Sequence, residues 1–211
     1  MPSPSDFDPL LYRVHFAYSV RGTSEAAVRG RTVRDWMKLG RRPEAIVQRL
    51  REGSATHGVS FGGYLGPDAL LVPVPRRAPR RGDALWPALE LCDQLRDAGL
   101  GRSVETLLRR ERAVPKSSVI LRAADRPSPA THADSLSVVR ALLDAEAVTL
   151  VDDVVTRGST MLGCAAVLRA AYPDITIRGF AFLRRLEGLS DHHAPHEGSI
   201  SMSGENIVQA R

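Results

Sequence analysis

A run of apolar residues ending in two adjacent carboxylates constrains this chain more than any other feature. Residues 147–160 read AVTLVDDVVTRGST. Ala147 to Val151 is mostly apolar, on both faces instead of alternating, the pattern of a strand buried in a parallel sheet. Asp152, Asp153, Val154 and Val155 follow, then Thr156, Arg157, Gly158, Ser159 and Thr160. That second half is short on bulk and rich in hydroxyls and backbone N–H groups, which suits a loop that wraps a phosphate. Met161, Cys164, Ala165, Leu168, Ala171 and Tyr172 then recur at helical spacing. Pro173-Asp174 stops that helix, and Ile175 to Leu183 is again apolar and β-branched. The predicted unit is strand, phosphate-type loop, helix, strand, with the loop at the carboxyl end of its strand, where open α/β sheets bind ligands.

Other readings of a strand ending in two acids fit less well. A Walker B segment needs a GxxxxGK[ST] loop elsewhere, and the chain has none. A receiver domain carries its acids early, and these come late. A helix cap would explain one carboxylate but not the Thr-Arg-Gly-Ser-Thr cluster.

The stretch resembles the phosphoribosyl-pyrophosphate (PRPP) motif of the type I phosphoribosyltransferases, and is most similar to its ComF-like branch. Four or five apolar residues, two acids, two apolar residues and a T-x-G-x-T loop keep their spacing; Arg157 stands where that branch commonly has a second Thr. Pro73-Val74-Pro75, followed by Arg76, Arg77, Arg80, Arg81 and Gly82, is similar to the branch's pyrophosphate loop. Four arginines in six residues just past a strand also suit an anion, although an arbitrary arginine run is a solvated turn.

The resemblance implies an open, mostly parallel sheet flanked by helices, with an N-terminal extension over 1–66 and a phosphoribosyltransferase-like domain over 67–211. It implies transfer of a phosphoribosyl group from PRPP to a nitrogenous, nucleobase-type acceptor with release of pyrophosphate. Asp152 and Asp153 would accept from the ribose hydroxyls, and Val154 to Thr160 would surround the 5′-phosphate. Pro75, Arg76 and Arg77 would take the pyrophosphate. Mg²⁺ would come bound mostly to substrate and water, near Asp152 and Asp153. A loop at 109–134 would close over the site, with Arg110, Arg112 and Lys116 as its cations and Lys116 reaching the leaving group. Phe182 and Leu183, with the tail 186–211, would line the base pocket. The same fold hosts regulators that keep the motif without activity, and the sequence leaves a PRPP sensor, or a ComF-like role in DNA uptake, open as alternatives. A homodimer is a candidate assembly.

Composition sets few further bounds. The chain has 211 residues, 43% hydrophobic and 25% charged, enough for one α/β domain with an appended element. No apolar run approaches the roughly 18 residues of a membrane helix, and MPSPSDFDPL is unlike a signal peptide. A cytoplasmic protein with reduced, buried Cys92 and Cys164 is the expectation. A net charge of +5 permits nucleic-acid binding without requiring it. Lys38 and Lys116 are the only lysines among 29 cationic residues.

Along the chain, 1–9 reads as a loose tail and 10–21 as a strand. A helix follows within 22–39, with Val28, Val33, Trp36 and Met37 on its buried side. A short helix over 43–51 is stopped by Gly53. Strands are expected at 69–74 and 104–108, with a helix between them capped by Asp83, carrying Ala88, Leu91, Cys92 and Leu95 inward and closed by Gly99. A helix is expected over 136–143, and an edge strand over 199–210. ComF-like chains often carry an N-terminal CxxC zinc module; those cysteines are missing here, so no zinc is expected. The His192, His193 and His196 cluster has neither cysteines nor an acid pattern suited to a metal beside it and reads as a polar surface loop.

Overall fold

The computed structural model describes residues 2–41, 43–57, 61–115, 122, 125–186 and 195–208. Its main sheet has seven strands among the described residues. They are β1 (Leu10–Ser19), β2 (Leu70–Pro73), β3 (Ser103–Val104), β6 (Ala147–Val155), β7 (Thr176–Leu186), β8 (His196–Ser201) and β9 (Gly204–Val208), in the order β3-β2-β6-β7-β1-β8-β9. The five strands from β3 to β1 run parallel, and β8 and β9 close one edge as an antiparallel pair. A separate two-stranded ribbon joins β4 (Leu108–Arg110) to β5 (Leu136–Val138).

Helices cover both faces, as a mostly parallel sheet requires. Helices α1 (Glu25–Lys38), α2 (Pro43–His57) and α3 (Pro87–Asp97) lie on one side. There Val33, Met37, Ile46, Leu50, Leu91 and Leu95 bury against Leu71, Val151, Phe180 and Phe182. On the other side α5 (Ser159–Ala171) packs Met161, Leu162, Cys164, Ala165 and Leu168 against Leu10, Tyr12, Val72, Val148 and Leu150. Every residue of α5 from Met161 to Leu168 is buried, so its apolar surface is wider than the single stripe the spacing predicts. The short α4 (Pro129–Ala133) lies against α5. It approaches so closely that a Cβ on Gly163 would sit 2.6 Å from the Pro129 carbonyl oxygen.

Several expectations need correction. The segment 1–9 is not loose: Pro4–Phe7 forms a 3₁₀ turn, and the Arg169 guanidinium of α5 donates to the carbonyls of Asp6 (3.0 Å) and Asp8 (2.6 Å). Within the segment read as an extension, β1 is an inner strand, parallel to β7 and antiparallel to β8. Ser24 caps α1 by accepting from the Ala27 amide (3.3 Å), but Val28 faces solvent. Helix α2 runs through Gly53 to His57, because one glycine costs only about 1 kcal/mol in a helix that packing already holds. Asp83 does not cap α3, which starts at Pro87 behind Trp86. The strand expected over 104–108 divides between the two-residue β3 in the main sheet and β4 in the ribbon.

The helix expected over 136–143 is absent. Leu136–Val138 pairs with β4, the Val139 amide donates to the Leu107 carbonyl (2.8 Å), and the Ala141 amide donates to the Tyr172 hydroxyl (3.0 Å). Those backbone bonds go to partners distant in sequence, and a helix there would forfeit them. The expected edge strand becomes two, β8 and β9. Cys92 and Cys164 are buried free thiols, as expected.

Candidate functional site

Strand β6 runs through both acids and both valines to Val155, so the loop is only Thr156, Arg157 and Gly158 before α5 begins. Gly158 is the helix N-cap at φ 77°, ψ −1°, with no side-chain cap bond at that terminus. Only glycine takes this left-handed turn without cost. A second constraint also excludes a side chain: a Cβ on Gly158 would come within 2.5 Å of the Ile200 Cδ1. Ile200, on β8, is fully buried. The strand beyond the expected phosphate loop therefore presses on it from behind, while Arg157 is exposed and Thr156, Ser159 and Thr160 keep partial exposure. An uncapped helix N-terminus with hydroxyls around it favours an anion.

The acids are set differently from each other. Asp153 is 5% exposed, and the Lys38 ammonium, in the last turn of α1, contacts its Oδ2. Burial is the largest single influence on Lys38 and opposes its charge. Attraction to Asp153, a hydrogen bond to it and attraction to Asp152 together outweigh burial and hold the Lys38 pKa above its ordinary value. Asp152 retains some exposure, and its Oδ1 accepts from the Asp153 amide (2.9 Å). Burial first, and then the Asp153 charge, push the Asp152 carboxyl well above the usual carboxylate range, with Lys38 opposing. Two carboxylates side by side with one cation settle most easily with a single negative charge between them.

The loop after β2 emerges next to these acids, since Pro73 pairs in register with Val151 and the Val74 amide donates to the Val151 carbonyl (2.9 Å). Pro75 is buried, while Arg76 and Arg77 are exposed. Their backbone carbonyls are engaged: Arg110 Nε donates to Arg76 O (3.0 Å) and the Val114 amide to Arg77 O (2.8 Å). The loop's backbone is thus held while its guanidinium groups point outward, which is how an anion site is pre-organised.

Arg110, expected as a loop cation for substrate, is 4% exposed. Besides Arg76 O, it donates to His132 O (3.1 Å) and to the Ser135 hydroxyl. With burial as the first cause, its pKa is lowered. Among the described residues it braces the two loops. Arg112 is exposed and donates to Asp134 O (2.5 Å). Lys116, the expected leaving-group cation, lies outside the described residues, as do His192 and His193. Phe182 and Leu183 are buried in the α1–α3 core, so neither lines an open base pocket. Phe182 packs against the His15 ring, with centroids 4.8 Å apart and the planes tilted by 48°.

Lys38 and His132 were not singled out in the sequence. His132 Nε2 lies 3.4 Å from Thr160 Oγ1, at the start of α5. Neither contact has a local signal, because each joins elements far apart in the chain; the scarcity of lysine was the one hint toward Lys38.

Among the described residues no group of three or more His, Cys, Asp or Glu is placed to hold a metal ion, and no helix is long and apolar enough to cross a membrane. The carboxyl pair is compatible with a hard cation, but the ammonium already in contact with Asp153 competes with direct ligation. The donor set therefore fits a Mg²⁺ carried on substrate oxygens and water better than one caged by protein. No protein-family model matches the chain, and no curated protein is found similar to it.

Proposed function

We propose that this chain binds PRPP at the carboxyl ends of β2 and β6 and transfers its phosphoribosyl group to a nitrogen of a nucleobase-type acceptor, releasing pyrophosphate. The observation that carries the reading is the succession at the end of β6: a carboxyl pair, a three-residue loop, and a left-handed glycine opening an uncapped helix. Asp152 and Asp153 accept from the ribose hydroxyls. Thr156, Ser159 and Thr160, with the first amides of α5, hold the 5′-phosphate, and Arg76 and Arg77 face the pyrophosphate. Mg²⁺, when bound with the substrate near Asp152 and Asp153, neutralises charge on the leaving group. The reaction needs no covalent nucleophile: charge develops on sugar and leaving group, and fixed groups stabilise it by position and electrostatics.

A second reading is a PRPP-binding regulator without turnover. It is favoured by the Lys38–Asp153 contact and by the pressure on Asp152 to stay protonated, both of which hold the acid pair in a quiet state.

Calorimetric titration of PRPP, with and without Mg²⁺, tests both readings against Asp152→Asn and Asp153→Asn variants. Binding that requires Mg²⁺ and falls about 100-fold or more in folded variants supports the site. Absence of binding at millimolar PRPP defeats both readings. Pyrophosphate release with a panel of bases then separates enzyme from regulator.

A further inference from the structure

Lys38 reaches the acid pair from outside the strand-loop-helix unit. It stands in the last turn of α1, where the carbonyl end of the helix favours a cation. Its side chain is 51% exposed while that of its partner Asp153 is 7% exposed. An ammonium has three donors and no acceptor, and Asp153 is the one partner described for it. Half of the Lys38 side chain is thus open to solvent beside the acid pair, and its ammonium has more donors than that one contact uses. Strand β2 adjoins β6 in register there, which brings out the loop of Arg76 and Arg77 beside the acids. Negative charge on the acid pair would repel a substrate bearing both a phosphate and a pyrophosphate, and a cation beside the pair offsets that repulsion. The choice of cation also has a reason in this arginine-rich chain. A guanidinium fork would tend to chelate a carboxylate bidentately, whereas an ammonium acts as a compact point charge that several anionic groups can share.

We propose that Lys38 is a substrate-reading residue: it holds Asp153 with one N–H and offers the others to an anionic oxygen of the substrate's pyrophosphate. The inference rests on the PRPP reading above and deepens it, since α1 then completes the site. It assigns to this helix a discrimination between donors that carry a pyrophosphate and sugar phosphates that do not.

The test is calorimetry at fixed Mg²⁺ with three ligands: PRPP, inorganic pyrophosphate and ribose 5-phosphate. Wild type is compared with Lys38→Met, Lys38→Arg and the double variant Lys38→Met/Asp153→Asn. Lys38→Met should weaken PRPP and pyrophosphate about 10- to 100-fold, the range of a charge-assisted hydrogen bond. Ribose 5-phosphate should change by no more than about threefold, and Lys38→Arg should recover part of the loss. The double variant removes the unpaired buried carboxylate that Lys38→Met leaves, so its thermal stability should return while pyrophosphate affinity stays low. Lys38→Met binding PRPP and pyrophosphate like wild type overturns the inference and leaves the PRPP reading standing. An equal loss for ribose 5-phosphate also overturns it, because Lys38 would then only position Asp153. Wild type that binds no PRPP defeats the PRPP reading, and this inference with it.

Discussion

At neutral pH the imidazole of His132 carries no charge, because burial first and the Arg110 cation second hold its pKa down to about 4. The sign of the effect on stability follows from linkage. Below the unfolded value of 6.5 the unfolded chain takes up a proton that the folded chain refuses. Stability is therefore level with respect to this group above pH 6.5 and falls as pH drops toward 4, by roughly 3 kcal/mol in all. Urea midpoints across pH 4–7 should show that fall in wild type and a smaller one, by close to one proton, in His132→Gln. Gly158 makes a different demand. Gly158→Ala must hold a left-handed backbone and displace Ile200, and should cost about 3 kcal/mol. Trimming the obstacle should recover part of that, so the Gly158→Ala/Ile200→Ala double variant should lose less than the two single losses added. Additive losses in denaturant melts would show that the two residues do not compete for space. Both constraints were half legible in the sequence. A glycine in a hydroxyl loop announces itself, but the isoleucine that leaves room for nothing larger arrives from 42 residues further on, and only tertiary packing brings the two together.

The β6–loop–α5 unit was the most readable element, because a strand covered on both faces followed by a helical repeat leaves few alternatives. Besides the width of the apolar face of α5, the strand's end differs from the expectation: Asp152 to Val155 stay in the sheet because β7 continues beside them, with Val154 opposite Leu183 and Val155 opposite Arg184. The segment from 109 was less readable. Its ends form a ribbon, and its organising residue is Arg110, a cation that sequence reasoning places at a ligand and the fold spends on Arg76, His132 and Ser135. Nothing local distinguishes a buried bracing arginine from Arg109 beside it; the alternation of β4, with Arg109 out and Arg110 in, is what decides. Arg110→Met should strand those acceptors and cost about 2–4 kcal/mol. It should also release the loop carrying Arg76 and Arg77, weakening pyrophosphate binding although Arg110 touches no ligand. A folded Arg110→Met protein with unchanged pyrophosphate affinity would show that the loop is held by other means.

Across the whole molecule, α/β class and parallel order were legible from alternating greasy strands and amphipathic helices, while the place of the first strand was not. Strand β1 fills the position between β7 and β8, and Arg13 anchors β8 through Glu197 (3.2 Å), which also accepts from the Tyr64 hydroxyl (2.6 Å). A fragment of residues 67–211 would leave β7 without one of its two neighbours and β8 without its anchor, and it would lose α1 and Lys38. It should show no cooperative urea transition; a sharp one would mean that this part of the chain folds by itself. The same arrangement has a temporal consequence. Tyr12 pairs opposite Gly179, so β1 leaves the ribosome, at about 5–20 residues per second, roughly 10–30 s before its strand partner is synthesised. Through that interval an apolar stretch has α1 beside it but no native strand neighbour, and its fate rests on keeping it from other chains until the sheet can close around it.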